Sequence, residues 1–330
     1  MSNLAIVLGP FNQESEIRFR EIKEAADSIG GIDLRFVDSN QSFKSIMDQC
    51  RGAIVILPHG RYPELTKLAE NLGSLKLIQT FSAGTDWLDK PQLSEMGIDV
   101  ANNGGANAVA VAEHAIGLIF ALYRKLDMQI NSVKSGKWDS GIEGERTEFH
   151  TLVGKRIGII GLGRIGSRVA KRLSGWECEI VYHDLIDFDQ DYLGNSDTQF
   201  LSLDDLLSTS DVITLHVPLD RVTKHLISEN EFTIMKKTSI LINTCRGPVV
   251  DENALINALQ SNQIFGAGLD VTETEPIDPN NPLLNMKNVI VTPHLATRAI
   301  ESELNAASFT MMNTARVIRG KIADWLVKPV

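Results

Sequence analysis

Short apolar runs alternate with helix-period stretches over the first hundred positions of the chain. Leu4–Leu8, Leu34–Val37, Ala53–Leu57 and Leu75–Gln79 read as strands, with helices near Ser15–Ser28, Phe43–Gln49 and Pro63–Leu72 between them. Strands that are apolar throughout and separated by helices belong to a parallel sheet covered on both faces. The alternation breaks at Ala106–Tyr123, where Val109, Val111, Ala115, Ile116, Leu118, Ile119 and Leu122 make a helix apolar on nearly every side. Such a helix is expected to be buried all round, between domains or between subunits. A second series opens at Lys155, with strands at Arg156–Ile160, Glu179–Tyr182, Val212–Leu215, Ser239–Ile242, Gly266–Leu269 and Val289–Val291. Within it, Ser228 with Glu231 reads as a capping box and Asp251 as an N-cap. A last helix, Ala299–Arg319, sets Ile300, Leu304, Ala307, Met311, Ala315 and Ile318 on one stripe before Gly320 ends it.

The second series begins with a glycine turn, GLGRIG, at Gly161–Gly166. On its own that spacing is weak; here a β-branched strand enters it and a helix, Ile165–Leu173, leaves it. Gly161 permits a tight turn, Gly163 lets the backbone approach a pyrophosphate, and Gly166 lets helix pack on strand. Arg164, inside the turn, can reach a phosphate. Asp184 follows the last glycine by 18 residues at the end of the next strand. A carboxylate there accepts both ribose hydroxyls of NAD and repels the 2′-phosphate of NADP.

A turn that begins at residue 161 of 330 implies insertion. The chain builds most of one α/β domain, crosses on Ala106–Tyr123, completes a nucleotide-binding domain, and returns on its final helix. Residues 1–101 with 296–330 are expected to form the first domain and 102–295 the second, with the ligand in the cleft between.

Composition narrows the function classes. Apolar residues are 43% and charged residues 22% of the chain, and the net charge is −10. That balance argues against a nucleic-acid backbone or an anionic membrane surface as partner. Leu4–Leu8 has no basic residue before it and reads as a strand, not a signal peptide. Cys50, Cys178 and Cys245 are scattered, so a disulfide framework and a structural zinc site are not expected, and a reducing cytoplasm fits. His59, His114, His183, His216 and His225 show no metal-binding spacing, and no metal is expected.

Three later strand ends carry titratable groups: Arg246 in NTCRG, Asp270 and Glu275 in LDVTETEP, and His294 in VTPHLAT. In an open parallel sheet, ligands sit beyond the carboxyl ends of the strands. A guanidinium there can grip a substrate carboxylate with two parallel hydrogen bonds and polarise the adjacent carbonyl. An imidazole can give a proton to the carbonyl oxygen as hydride reaches its carbon, and a neighbouring carboxylate fixes the ring. Each residue alone has a plainer reading, as an ion pair, a solvated acid or a structural histidine; their joint occurrence after a nucleotide turn favours chemistry. Cys245 has no histidine neighbour to activate it as a nucleophile.

These residues lie in motifs that resemble the D-isomer-specific 2-hydroxyacid dehydrogenases over essentially the whole chain. The motifs are FSAGTDWLD, NGGANAVAVAEHAIGLI, GKRIGIIGLGRIG, LHVPLDRVTKHLI, ILINTCRGPVVDENAL, GAGLDVTETEP and VTPHLA. The resemblance implies two doubly wound parallel-sheet domains, a Rossmann NAD-binding domain inserted into a flavodoxin-like substrate domain, and a homodimer built on the NAD domain. It gives Arg246, Glu275 and His294 the catalytic roles, and Arg246, His294 and the Ala83–Gly84 backbone the substrate. Gly161, Gly163, Arg164, Ile165, Gly166, Asp184, His216, Pro218, Thr223, Thr244 and Asp270 fall on cofactor-contacting positions. Thr272, where an aromatic is frequent, and the segment after His294 depart from the family pattern near the pocket. Glyoxylate or hydroxypyruvate is the expected 2-oxo acid. Phosphoglycerate stays open because Arg61 is placed to bind a phosphate, with a solvated surface arginine as the alternative. A co-repressor-like, NAD(H)-sensing scaffold stays open because such proteins keep the same three residues.

Overall fold

The computed structural model describes residues 3–138, 149–185, 188 and 198–328. They form two compact units, Met1–Asn107 with Arg298–Val330, and Ala108–Thr297. The first holds five parallel strands, β1 (Leu4–Gly9), β2 (Asp33–Asp38), β3 (Val55–Pro58), β4 (Leu77–Gln79) and β5 (Asp99–Ala101), in the order β2-β1-β3-β4-β5. That is the flavodoxin order. Successive residues of β1 feed opposite cores: Leu4, Ile6 and Leu8 enter one cluster, Ala5 and Val7 the other. Burial on both faces is why these strands carry no polar alternation.

The second unit is a sheet of seven parallel strands. They are β6 (Arg156–Ile160), β7 (Glu179–His183), β8 (Gln199–Phe200), β9 (Val212–Leu215), β10 (Ile240–Asn243), β11 (Gly266–Leu269) and β12 (Val289–Val291). Their order, β12-β11-β10-β9-β6-β7-β8, is that of a Rossmann fold with one further strand. The chain order reverses between β6 and β9, which places the switch point beside the glycine turn. Here too the strands split between two cores: Ile157 and Ile159 on one side, Ile160, Ile213 and Leu215 on the other. The Ser228–Glu231 capping box forms, and the Asp251 carboxylate accepts the Ala254 amide.

Two helices differ from expectation. The apolar helix spans Ala108–Tyr123 and packs one face on β10, β11 and β12, burying Val111, Ala115, Leu118, Ile119 and Leu122. It is not buried all round in the chain: Val109, Glu113 and Gly117 on its other face are exposed. The final helix spans Ile300–Ile318 and packs on the Gln13–Ile29 helix. Ala307, Met311 and Ala315 are buried as expected, but Ile300 and Leu304 are exposed, and Ser302, Thr310, Asn313 and Thr314 are buried instead. The reason is hydrogen bonding. Thr310 and Thr314 donate to carbonyls one turn back, Ala306 and Thr310, so their hydroxyls enter the core already paired. Among the described residues no helix is long and apolar enough to cross a membrane.

Asn313 ties this helix to the sheet. Its amide donates to Gln79 Oε1 and to the Asp324 carbonyl, and its Oδ1 accepts the Asp324 amide at 2.7 Å. Gln79 in turn donates to the Thr80 and Asn102 carbonyls. The segment beyond then lies along β5, where Leu326 forms an antiparallel bridge with Ala101 and the Val327 amide donates to the Val100 carbonyl. Removing the Asn313 amide leaves buried Gln79 Oε1 without this donor and releases the Asp324 backbone. Asn313→Ala is expected to cost about 2–4 kcal/mol in urea unfolding; a loss under about 1 kcal/mol would mean that the network is not a structural tie.

Candidate active site

All seven strands of the second sheet are parallel, so their carboxyl ends deliver the following loops to one edge. β6 runs into Gly161, β7 into Asp184, β9 into His216, β10 into Thr244–Arg246, β11 into Asp270–Glu275 and β12 into Thr292–His294.

At the glycine turn the three glycines face different surroundings. Gly161 has φ +88°, and a Cβ there would lie 2.8 Å from the His216 carbonyl oxygen. A Cβ on Gly166 would lie 2.3 Å from the Gly161 oxygen and 2.9 Å from the Ile159 side chain. Both are required by the fold. Among the described residues a Cβ on Gly163 would meet nothing within 4 Å. Arg164 and Ile165 beside it are half-buried, and the Arg164 carbonyl accepts from the Arg168 guanidinium at 2.6 Å. Asp184 closes back on the turn, with Oδ2 accepting the Leu162 amide at 2.8 Å and Oδ1 the Leu185 amide at 2.7 Å.

Among the described residues, two buried polar atoms nearby have no hydrogen-bond partner, Nδ1 of His216 and Oγ1 of Thr244. Burial pushes the His216 imidazole down to about 3, so it is neutral at physiological pH, and its Nε2 pairs with Thr214 Oγ1 at 2.9 Å. An orphaned ring nitrogen and an orphaned hydroxyl, at the ends of adjacent strands, suit a ligand that brings its own donors and acceptors. With the open face of Gly163 and the acid at 184, they fit a dinucleotide. Pro218 and Thr223 are tied to one another, the Thr223 hydroxyl donating to the Pro218 carbonyl at 2.6 Å.

His294 and Glu275 form a direct pair, Nδ1 to Oε2, at 2.8 Å. Both side chains are partly open to solvent. His294 sits in the left-handed region, φ +54°, where its backbone amide donates to the Asp270 carbonyl at 2.8 Å. With Nδ1–H committed to Glu275, Nε2 is the nitrogen that exchanges a proton with a ligand. Arg246 lies at the head of a short turn, Gly247–Val249, and donates to the Cys245 carbonyl at 2.6 Å. Buried Asn243 staples that loop, accepting the Cys245 amide and donating to the Arg246 carbonyl.

Asp270 is buried and serves the histidine's loop. It accepts from Thr292 Oγ1 at 2.6 Å, the Leu295 amide at 3.0 Å and the Ala296 amide at 2.8 Å. Thr292 also meets His114 Nε2 at 3.0 Å. Sequence reasoning does not single out Asn243 or Thr292, and it weighs His114 only as a metal ligand. Their only signal is a polar residue at a strand end or inside an apolar helix, which does not reveal its partner. Cys245 is pushed up to about 11 by burial, so it remains a thiol at neutral pH and is no nucleophile.

In the first unit the carbonyls of Ser82, Ala83 and Gly84 accept from Thr80 Oγ1, Asn102 Nδ2 and Ser82 Oγ. Among the described residues no acceptor takes the Ala83 or Gly84 amide. Arg61 is exposed, 4.0 Å from Asp86, and lines a cavity of about 180 Å³ with Tyr62, Pro63, Leu65, Thr66, Trp87 and Leu88.

The glycine geometry separates ligand binding from folding. Gly163→Ala is expected to weaken NADH binding about tenfold or more. Gly166→Ala is expected to cost about 1–3 kcal/mol of stability from overpacking. Calorimetric titration and thermal unfolding of both variants check this; equal effects on both measurements would refute the distinction.

Residues 116–296 match the model of the D-isomer specific 2-hydroxyacid dehydrogenase NAD binding domain. A glyoxylate reductase of Thermofilum pendens is 41% identical over 254 residues, 77% of this chain and 75% of that one. A D-3-phosphoglycerate dehydrogenase of Archaeoglobus fulgidus is 38% identical over 259 residues, 78% of this chain and 47% of that one. The apo structure of Rhodotorula graminis D-mandelate dehydrogenase superposes with a TM-score of 0.84 at 28% identity, covering 98% of this chain and 97% of that one. The glycine turn, the acid after β7, the paired histidine and glutamate and these likenesses together identify the chain as a member of the D-isomer-specific 2-hydroxyacid dehydrogenase family, an NAD-dependent oxidoreductase.

Proposed function

We propose that the protein reduces a small 2-oxo acid, glyoxylate or hydroxypyruvate, to the 2-hydroxy acid with NADH. The observation that carries this reading is the 2.8 Å pair of His294 and Glu275 beyond the ends of β12 and β11. Gly161, Gly163, Arg164, Ile165, Gly166, Asp184, His216, Pro218, Thr223, Thr244 and Asp270 are the residues assigned to the dinucleotide, which supplies the hydride when bound. Asp184 favours NAD over NADP because a 2′-phosphate would meet its carboxylate. Arg246 grips the substrate carboxylate and polarises the adjacent carbonyl. His294 Nε2 gives its proton to the carbonyl oxygen as that carbon is reduced, and takes it back in the reverse direction. Glu275 holds the ring in place through its bond to Nδ1.

Glyoxylate is supported by the activity for which the Thermofilum pendens relative is named. A second reading, reduction or oxidation of a phosphorylated acid, rests on the cavity beside Arg61. All three cysteines are free thiols, which supports a reducing, cytoplasmic setting. A steady-state screen of 2-oxo acids with NADH tests the reading. Turnover of glyoxylate or hydroxypyruvate is expected, and His294→Ala is expected to abolish it, a loss of about 10³ or more, with NADH binding nearly intact. Tight NADH binding without turnover of any acid would favour the sensing scaffold.

The functional unit in this reading is a homodimer through the NAD-binding domain. The Leu126–Lys134 helix buries no residue, yet it presents Leu126, Ile130 and Val133 along one face, and Trp138 beyond it is 90% exposed. That helix follows Ala108–Tyr123 and packs against it, and exposed apolar side chains on both are what an interface between two copies would cover. Sedimentation is expected to find a dimer for the wild type and a monomer for Ile130→Asp; an unchanged dimer would place the interface elsewhere.

A further inference from the structure

One imidazole outside the groups assigned above joins the loops that carry Arg246 and Glu275. His225 stands in the left-handed region, φ +53°. Its backbone amide donates to the Pro248 carbonyl at 2.8 Å, two residues beyond Arg246. Its ring Nε2 meets Glu273 Oε1 at 2.9 Å, two residues before Glu275. Glu273 is held again from the other side: its Oε2 accepts the Glu252 amide at 3.2 Å, and its own amide donates to Glu252 Oε2 at 2.9 Å. Asp251 completes the surroundings, 3.9 Å from Nδ1. Among the described residues no such group is arranged to hold a metal ion.

The two loops also touch through their backbones. A Cβ on Gly247 would lie 1.8 Å from the Thr272 carbonyl oxygen, so no side chain separates the turn after Arg246 from the loop before Glu275. Backbone contact of this kind resists approach but not sliding. Sliding is opposed by the ties at its ends, and His225 is a tie to both loops at once. An exposed ion pair is ordinarily worth little, because two long side chains must be ordered to make it. Here that ordering is already in place. His225 is fixed by its amide bond and by the bridge of Ile227 with Val250, and Glu273 by its reciprocal bonds with Glu252.

We infer that His225 and Glu273 are a positioning pair, which sets the register of the Glu275 loop against the Arg246 loop and so aims the acid–imidazole pair at the carbonyl whose carboxylate the guanidinium holds. The inference rests on the reading of Arg246, Glu275 and His294 proposed above. Neither His225 nor Glu273 is given a contact with substrate or with cofactor.

Amide hydrogen exchange and steady-state kinetics on the full chain test it together. His225→Asn keeps the backbone amide and a residue tolerant of positive φ, but is too short to reach Glu273. Exchange at residues 272–275 is expected to speed about tenfold, and kcat to fall about tenfold with the KM for NADH changed less than about twofold. His225→Gln, whose amide group reaches the Nε2 position, is expected to restore most of both. In a Glu275→Gln background His225→Asn should cause no further loss of kcat, since the pair acts through that acid. Should His225→Asn not fold, Glu273→Ala cuts the same tie from the other end and is read in the same way. Unchanged exchange at 272–275 overturns the inference whether or not any acid is turned over, and so does faster exchange with unchanged kcat in an active enzyme. A wild type inactive on every 2-oxo acid overturns the proposed function instead, and exchange alone then decides whether the tie exists.

Discussion

The side chain of Asp270 is almost wholly out of water, and three donors from a single loop meet it there. A carboxyl group so placed has given up its water, and these hydrogen bonds are what offset that loss, so the loop after β12 is held to it and cannot drift without leaving a buried polar group unpaired. At 2.6 Å the hydroxyl proton of Thr292 belongs to the bond with Asp270, which leaves Thr292 Oγ1 to accept from His114 Nε2–H. One buried acid thereby joins β11, the loop after β12 and the Ala108–Tyr123 helix. The left-handed turn at His294 starts from this anchor, and the direction in which the ring meets Glu275 depends on it.

Much of the fold was legible because parallel strands buried on both faces have a plain signature, a short apolar run without alternation between helical stretches. β1, β3, β6 and β9 satisfy it within a residue or two. β5 and β8 escaped because each is too short for a pattern: β5 has three residues, one of them the exposed Asp99, and β8 has two exposed residues, Gln199 and Phe200. The candidate site was legible to the extent that it is built from strand ends. Arg246, Glu275 and His294 stand in loops that must leave the same edge of a parallel sheet, and sequence order alone places them there.

What the sequence withheld was pairing between polar groups distant in the chain. The final helix reads as an apolar stripe, yet its inward face carries Thr310, Asn313 and Thr314, because their hydrogen bonds go to one turn back or to Gln79, 234 positions away. Hydrophobicity patterns rank such residues as solvent-facing and have no means of counting a bond that satisfies them. The same blindness hid Asn243 and Thr292, and it made the Ala108–Tyr123 helix look buried on every side when the chain itself covers only one.

The strip of chain beyond the final helix lies antiparallel to β5, with Leu326 bridging Ala101. A ribosome delivers β5 more than two hundred residues before the strip that closes its edge and the Asn313 latch that fastens it. The unit containing β6 to β12 is continuous in sequence and can finish folding during synthesis, whereas the first-made sheet must wait with an open border. Of the two units, the one whose synthesis starts first is therefore the one that closes second, and in that interval an unpaired strand edge is open to mispairing with neighbouring chains.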